Sequence, residues 1–272
     1  LDLFDGSITC YEALTRGPSY SLLHSPEVLV KVAAWSGQLL ELDLACSSMA
    51  LATFTRLKLP GRVFVNLTPG SLLSDAFAPS AILARLNQVG LERNRLIIEI
   101  TESSPDFNYS DLKQAVVKLR AAGLEVAMDD LGEGFSSLRL WSELNPAYVK
   151  IDKHFISGIH LDPHKLQFAR SIQQLAENAN TRVIAEGVET QSEQAIVKDL
   201  GIRYAQGYLI GRPSASPPRL PPPEVMLHLA SNRVSVFPSA AGAGSIRVCA
   251  ERLVIPAPSV SAQTPSHEVL DL

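Results

Sequence analysis

The chain has 272 residues, 46% of them hydrophobic and 19% charged, with a formal net charge of -4 and a pI of about 5.9. That is a globular composition, long enough for one barrel or two small domains. It argues against a general nucleic-acid-binding surface and leaves room only for a small local basic site. Cys10, Cys46 and Cys249 are odd in number and form no Cys-x-x-Cys, so neither a disulfide framework nor a zinc site is expected, and a reducing, cytoplasmic setting fits. No apolar run of about 18 residues and no basic segment before an apolar core is present, so neither membrane contact nor a secretion signal is expected from this chain.

In chain order, Leu1 to Leu3 reads as the tail of a strand and Phe4-Asp5-Gly6 as a hairpin turn, which makes Ser7 to Arg16 a strand antiparallel to the first. Side-chain alternation puts Cys10, Glu12, Leu14 and Arg16 on one face, where a Glu and an Arg need partners. Ser25 to Leu57 is predicted helical, in one or two pieces, with Pro26 at the first helical position. A strand over Arg62 to Leu67 carries Asn66, a helix follows over Pro79 to Val89, and a strand over Arg95 to Thr101 carries Glu99 and runs into Glu102. Ser110 is placed as the cap of a helix reaching Ala122. The strand Val126 to Asp130 then ends in two adjacent carboxylates and a glycine-punctuated loop. Ser136 to Leu144 is a short helix, Tyr148 to Ile151 a strand carrying Lys150, and Pro163 to Glu177 a helix. Arg182 to Ala185 is a strand running into Glu186, Thr190 to Leu200 a helix with a capping box, and Arg203 to Ile210 a strand with Gln206.

Strand and helix alternate with short loops, and the strands are near-continuous apolar runs, as expected when both faces are buried. The pattern fits a (β/α) barrel or an open doubly wound sheet; the absence of Gly-x-Gly-x-x-Gly after the early strands weighs against a dinucleotide fold. Glu12, Asn66, Glu99, Asp129, Asp130, Lys150 and Glu186 stand at strand ends, which a barrel gathers on one rim. Singly, each has a plain structural reading: a helix cap, a solvated turn, a surface lysine. Jointly, these oxygen ligands and one lysine fit a hard-cation site for Mg²⁺ or Mn²⁺, and two adjacent Asp fit a pair of cations sharing one carboxylate. His154, His160 and His164 cluster in a segment read as an exposed loop and are not placed as ligands.

These stretches resemble the EAL domain family, the bacterial cyclic diguanylate phosphodiesterases. Tyr11-Glu12-Ala13-Leu14-Thr15-Arg16 looks like the signature that names it. Val65-Asn66-Leu67, Glu99-Ile100-Thr101-Glu102, Asp129-Asp130-Leu131-Gly132, Val149-Lys150-Ile151-Asp152, Ala185-Glu186-Gly187-Val188-Glu189 and Gln206-Gly207-Tyr208-Leu209 are similar to its later motifs, in its order. The resemblance implies a modified TIM (β/α)8 barrel with an antiparallel first strand. It implies one metal held by Glu12, Asn66, Glu99 and Asp129, a second by Asp129 and Asp130, and Glu186 in support. Lys150 would orient or deprotonate the attacking water, and Glu102 would brace the loop from Asp130 to Phe135, which couples metal binding to dimerisation. Leu14, Arg16 and Gln206 would contact substrate, Arg16 through a phosphate oxygen; Asp152 and Glu189 match with less defined roles.

Two departures stand out: the chain begins after the Gln-Pro pair that normally opens the family's first strand, and Glu133 replaces a small or hydroxyl residue in the loop. The tail from Pro217 resembles the linker of members that continue into CBS and GGDEF domains. The expectation is therefore a barrel over residues 1–230 and a linker over 231–272. The barrel would hydrolyse cyclic diguanylate to linear 5′-pGpG as a homodimer, with two Mg²⁺ or Mn²⁺ per site and inhibition by Ca²⁺. A non-catalytic receptor for cyclic diguanylate and an unrelated metal-dependent barrel enzyme are the alternatives; the paired Asp129-Asp130 favours the first reading.

Overall fold

The computed structural model describes residues 1–100, 108–132 and 137–230. Its strands are β1 (Cys10–Ala13), β2 (Arg62–Leu67), β3 (Leu96–Ile100), β4 (Glu125–Leu131), β5 (Tyr148–Ile151), β6 (Arg182–Ala185) and β7 (Tyr204–Ala205). The helices are α1 (Pro26–Trp35), α2 (Leu39–Arg56), α3 (Pro69–Leu72), α4 (Pro79–Val89), α5 (Tyr109–Ala121), α6 (Ser137–Leu144), α7 (Lys153–Ile156), α8 (Pro163–Ala179), α9 (Gln191–Asp199) and α10 (Pro223–Ala230). The strands form one sheet in sequence order, every neighbouring pair parallel. Parallel neighbours need a crossover helix, so both faces are covered; β3 is accordingly buried at every position.

The sheet is curled. Phe64 on β2 and Tyr148 on β5 meet edge to face with ring centroids 5.5 Å apart, and Tyr148 meets Tyr204 on β7 at 6.1 Å. In a flat sheet β2 and β5 would lie about 14 Å apart, three strand spacings. Cys10, Phe64, Ile97, Ala127, Tyr148, Ile184 and Tyr204, one from each strand, form a single inner apolar layer. The larger core lies outside it, between sheet and helices. Near the strand starts, Glu125 Oε2 accepts from Arg62 Nη1 (2.5 Å) and Arg182 Nη1 (3.3 Å), and Arg62 Nη1 also reaches the Tyr148 hydroxyl at 3.0 Å.

Several differences from the sequence reading have simple causes. The expected eighth, antiparallel strand is represented by an isolated antiparallel bridge from Asp2 to Tyr204, because Leu1–Leu3 is too short for a ladder. The turn that follows is present, with Gly6 at φ 71° and its N–H donating to Asp2 O. The helical stretch expected over 25–57 takes the two-piece form, broken at Ser36–Gln38. Asn108, not Ser110, caps α5, its side chain accepting from Ser110 N. β7 is a two-residue strand, since the chain turns away after Ala205.

Candidate active site

Along each strand, alternation returns a side chain to the inner face every second residue. Two residues past the inner apolar layer stand Glu12, Asn66, Glu99, Asp129, Lys150, Glu186 and Gln206, a polar layer stacked directly on the apolar one. Lys150 is its hub. It is 1% exposed, and its ammonium lies 2.5 Å from Glu99 Oε1, 2.7 Å from Glu186 Oε1, 3.1 Å from Asp129 Oδ1 and 3.3 Å from Glu12 Oε2. Gln206 Nε2 donates to Glu12 Oε2 (2.5 Å) and Glu186 Oε1 (3.3 Å), and Asn66 Nδ2 donates to Glu12 Oε1 at 3.3 Å. The contact from β1 to β5 exists only because the sheet curls.

The electrostatics follow from burial and crowding. Burial pushes the Glu99 carboxyl well above the usual carboxylate range; Lys150 opposes the shift, and Glu12 and Asp129 add to it. Glu186 is raised to about 8 for the same first reason, again against Lys150. For Glu12, burial is outweighed by Lys150, Gln206 and Asn66, and the group stays below its ordinary value. Burial would lower Lys150, but the surrounding carboxylates win and hold it well above the usual lysine value.

The donor set suits two divalent cations. Glu12, Glu99 and Asp129 offer oxygens within 4.8 Å of one another, as do Asp129, Asp130 and Glu186, so Asp129 belongs to both groups. Asn66 Oδ1 and Glu99 Oε2 are buried and accept no hydrogen bond from a described residue. When all are ionised, these five carboxylates less one ammonium carry a formal −4, the charge two divalent cations cancel. Oxygen-only donors with crowded negative charge are what Mg²⁺ and Mn²⁺ select.

Local backbone features aim these groups. Asp130 sits at φ 51° where the β4–β5 register shifts between Met128 and Leu131, which turns adjacent carboxylates toward the same centre. Gly132 follows at φ 117°, and a Cβ there would overlap the Phe155 ring. Gly187, at φ 67°, lets the loop after Glu186 pass against Lys153. Two supports escaped the sequence reading, because each pairs residues far apart in the chain. Buried Asp43 of α2 accepts from Thr68 N (3.0 Å) and Oγ1 (2.8 Å), fixing the turn beyond Asn66. Glu193 closes the expected capping box with Thr190, and also accepts from Gly158 N (2.8 Å) and Glu189 N (2.9 Å). It thereby ties the segment after Lys150 to the loop after Glu186.

The remaining expected site residues lie apart from the cluster. Leu14 and Arg16 are exposed on the rim of an open cavity of about 1160 Å³ that Glu12, Glu186 and Gln206 also line; the Arg16 guanidinium donates to Thr15 O at 2.7 Å. Glu189 lines the same cavity and is exposed. Asp152 caps α7, accepting from His154 N at 2.7 Å. Glu102 and Glu133 lie outside the described residues. His154 opens α7 with Lys153 and packs on Phe155, and none of the three histidines joins either carboxylate group.

A model of the EAL domain matches residues 1–213, taking in every residue of the cluster. The chain belongs to the EAL domain family. This EAL domain is 32% identical over 219 residues to the cyclic di-GMP phosphodiesterase NbdA of Pseudomonas aeruginosa, covering 78% of this chain and 28% of that protein. Its fold matches the manganese/cyclic-diGMP complex of BlrP1 from Klebsiella pneumoniae at 30% identity and a TM-score of 0.71, covering 78% of this chain and 54% of that one. A standalone EAL protein of Vibrio cholerae, in its c-di-GMP-bound form, matches at 25% identity and a TM-score of 0.73, covering 83% of this chain and 94% of that one. The EAL domain thus spans about a quarter of the curated relative NbdA, 28% of its length.

Proposed function

We propose that this chain is a phosphodiesterase that opens one phosphodiester bond of cyclic diguanylate and releases linear 5′-pGpG, using two divalent cations. The observation that carries the reading is Asp129 shared between two carboxylate groups, Glu12/Glu99/Asp129 and Asp129/Asp130/Glu186, beside an open cavity. NbdA and the cyclic-diguanylate complexes of BlrP1 and the Vibrio protein supply the substrate class. Glu12, Asn66, Glu99 and Asp129 would hold one cation and Asp129 and Asp130 the other, with Glu186 alongside. Bound Mg²⁺ or Mn²⁺ supplies Lewis acidity, lowering the pKa of a water and offsetting charge on the phosphoryl group.

The protein's own groups do the rest. Lys150 would orient the attacking water, and would take its proton only after cations engage the carboxylates that hold its ammonium protonated. Arg16 leaves Thr15 O for a phosphate oxygen, a stronger charge-assisted bond. Leu14 and Gln206 bound the substrate on either side of Glu12. Ca²⁺ would inhibit, because its larger size and looser coordination suit the reacting groups less well. The domain acts as a cytoplasmic homodimer, Glu102 bracing the loop after Asp130, and residues 231–272 lead toward a further domain such as a CBS pair and GGDEF. No helix among the described residues is long and apolar enough to cross a membrane.

The decisive experiment incubates the chain with cyclic diguanylate and Mn²⁺ and separates products by chromatography. Linear 5′-pGpG is expected. Tight binding without product would make the chain a receptor instead.

A further inference from the structure

Beyond Gln206 the chain makes a tight turn fixed by backbone bonds. Leu209 N–H donates to Val188 O (3.1 Å), and Ile210 N–H and Gly211 N–H both donate to Gly207 O (3.0 Å each). Tyr208 stands on this turn, 52% exposed, and the Arg212 guanidinium lies over its ring, 4.4 Å from the centroid. Both line the cavity that holds Glu12, Leu14, Arg16 and Gln206.

Arg212 differs from most other ring-stacked arginines of the fold. Arg85 and Arg95 also donate to backbone carbonyls, Arg182 pairs with Glu125 and Arg203 with Asp2. Arg212 makes no hydrogen bond or ion pair with a described residue and stacks on the Tyr208 face. A cation stacked on an aromatic ring keeps a second planar face and a full set of N–H donors. Guanidinium planes and tyrosine rings are standard stacking partners for unpaired nucleobases. The site as described so far handles the phosphodiester and leaves the bases of a dinucleotide without a partner.

We propose that the Tyr208–Arg212 stack is a platform for one purine base of the substrate, setting which dinucleotide the cavity takes up. The inference rests on the dinucleotide reading given above. Because Tyr208 sits on a pinned turn, its half of the platform is in place before substrate arrives, which lowers the ordering cost of binding.

The test measures KM and kcat for cyclic diguanylate with Mn²⁺, and Kd for the same compound by calorimetry with Ca²⁺. Arg212→Ala is expected to raise KM and Kd about 5- to 100-fold, the range for losing one stacked base, with kcat changed about twofold or less. Arg212→Lys, which keeps the charge and loses the plane, is expected to be nearly as weak as the alanine variant, and Tyr208→Phe, which keeps the ring, close to wild type. Full rescue by lysine would overturn the platform and make Arg212 a phosphate contact. Unchanged constants in Arg212→Ala would overturn it outright while leaving the phosphodiesterase reading standing. A wild type that binds in calorimetry yet turns nothing over would sink the enzymatic reading alone, and one that neither binds nor hydrolyses would sink both.

Discussion

At Lys150, the same four carboxylates that raise its pKa are the groups proposed to hold cations. Lys150→Ala is expected to lower kcat at least about 10²-fold, as for loss of a positioned acid-base group, with Kd for cyclic diguanylate changed little. Steady-state kinetics beside calorimetry separates the two, and a large loss of binding would assign Lys150 to substrate instead. Asp129→Asn removes the ligand common to both groups and is expected to abolish turnover; near-native hydrolysis would sink the two-cation assignment. Glu186 adds a pH dependence. Its folded pKa of about 8 lies above the unfolded carboxylate value, so the fold favours its protonated form. Above about pH 4.5 ionisation costs the metal-free fold stability, and the cost grows until about pH 8. Glu99 acts in the same sense. Lys150, raised, keeps its contribution throughout this window, and the lowered Glu12 loses its own only at more acid pH. The thermal midpoint of the metal-free protein is therefore expected to fall from pH 5 to 8, and the stabilisation by Mn²⁺ to grow over the same range. A metal shift independent of pH would contradict this.

Between strands and helices, the site depends on a few tight backbone passages. Gly132→Ala would place a Cβ in the Phe155 ring at a φ that L side chains rarely adopt, and Asp130 lies two residues before it. That variant is expected to lose both stability and activity, visible as a lower thermal midpoint and kcat together; wild-type values would show that the turn after β4 has slack. Glu193→Ala leaves the Gly158, Glu189 and Thr190 N–H groups without their acceptor. A cost of about 1–3 kcal/mol is expected, measured by denaturant unfolding. Much at this scale was readable from sequence. The strand ends carrying Glu12, Asn66, Glu99, Asp129, Lys150 and Glu186 were marked by polar residues closing apolar runs, which a barrel gathers on one rim. Pairings across space were not readable: nothing in the sequence joins Asp43 to Thr68, or Gly158 to Glu193. Asp152 matched a motif, yet its carboxylate serves a helix start, because motif position specifies a place and not a partner. Leu1–Leu3, read as the tail of a strand, pairs through an isolated antiparallel bridge from Asp2 to Tyr204.

For the molecule as a whole, α10 packs onto the body of the fold. Val225 is fully buried, and Lys198 Nζ donates to Leu229 O at 2.7 Å, joining α9 to α10. Deleting residues 231–272 is therefore expected to leave thermal stability and cation-dependent activity largely intact, whereas cutting at Pro213 removes α10 and should destabilise the fold. A collapse on the shorter deletion would show that the tail packs as core.

The buried lysine among the acids has a further consequence. Most carboxylate-rich centres need their ions to stay together, since bare like charges would push the walls apart. Here an internal ammonium already stands in for them, at 2.5–3.3 Å from four walls. On the two-cation reading, loading would be an exchange of counter-ions and not an act of folding. A chelator should silence the protein without unfolding it, circular dichroism should stay unchanged as activity vanishes, and fresh Mn²⁺ should restore turnover within mixing time. Through its own side chain the domain would wait, folded and idle, for the proposed metal.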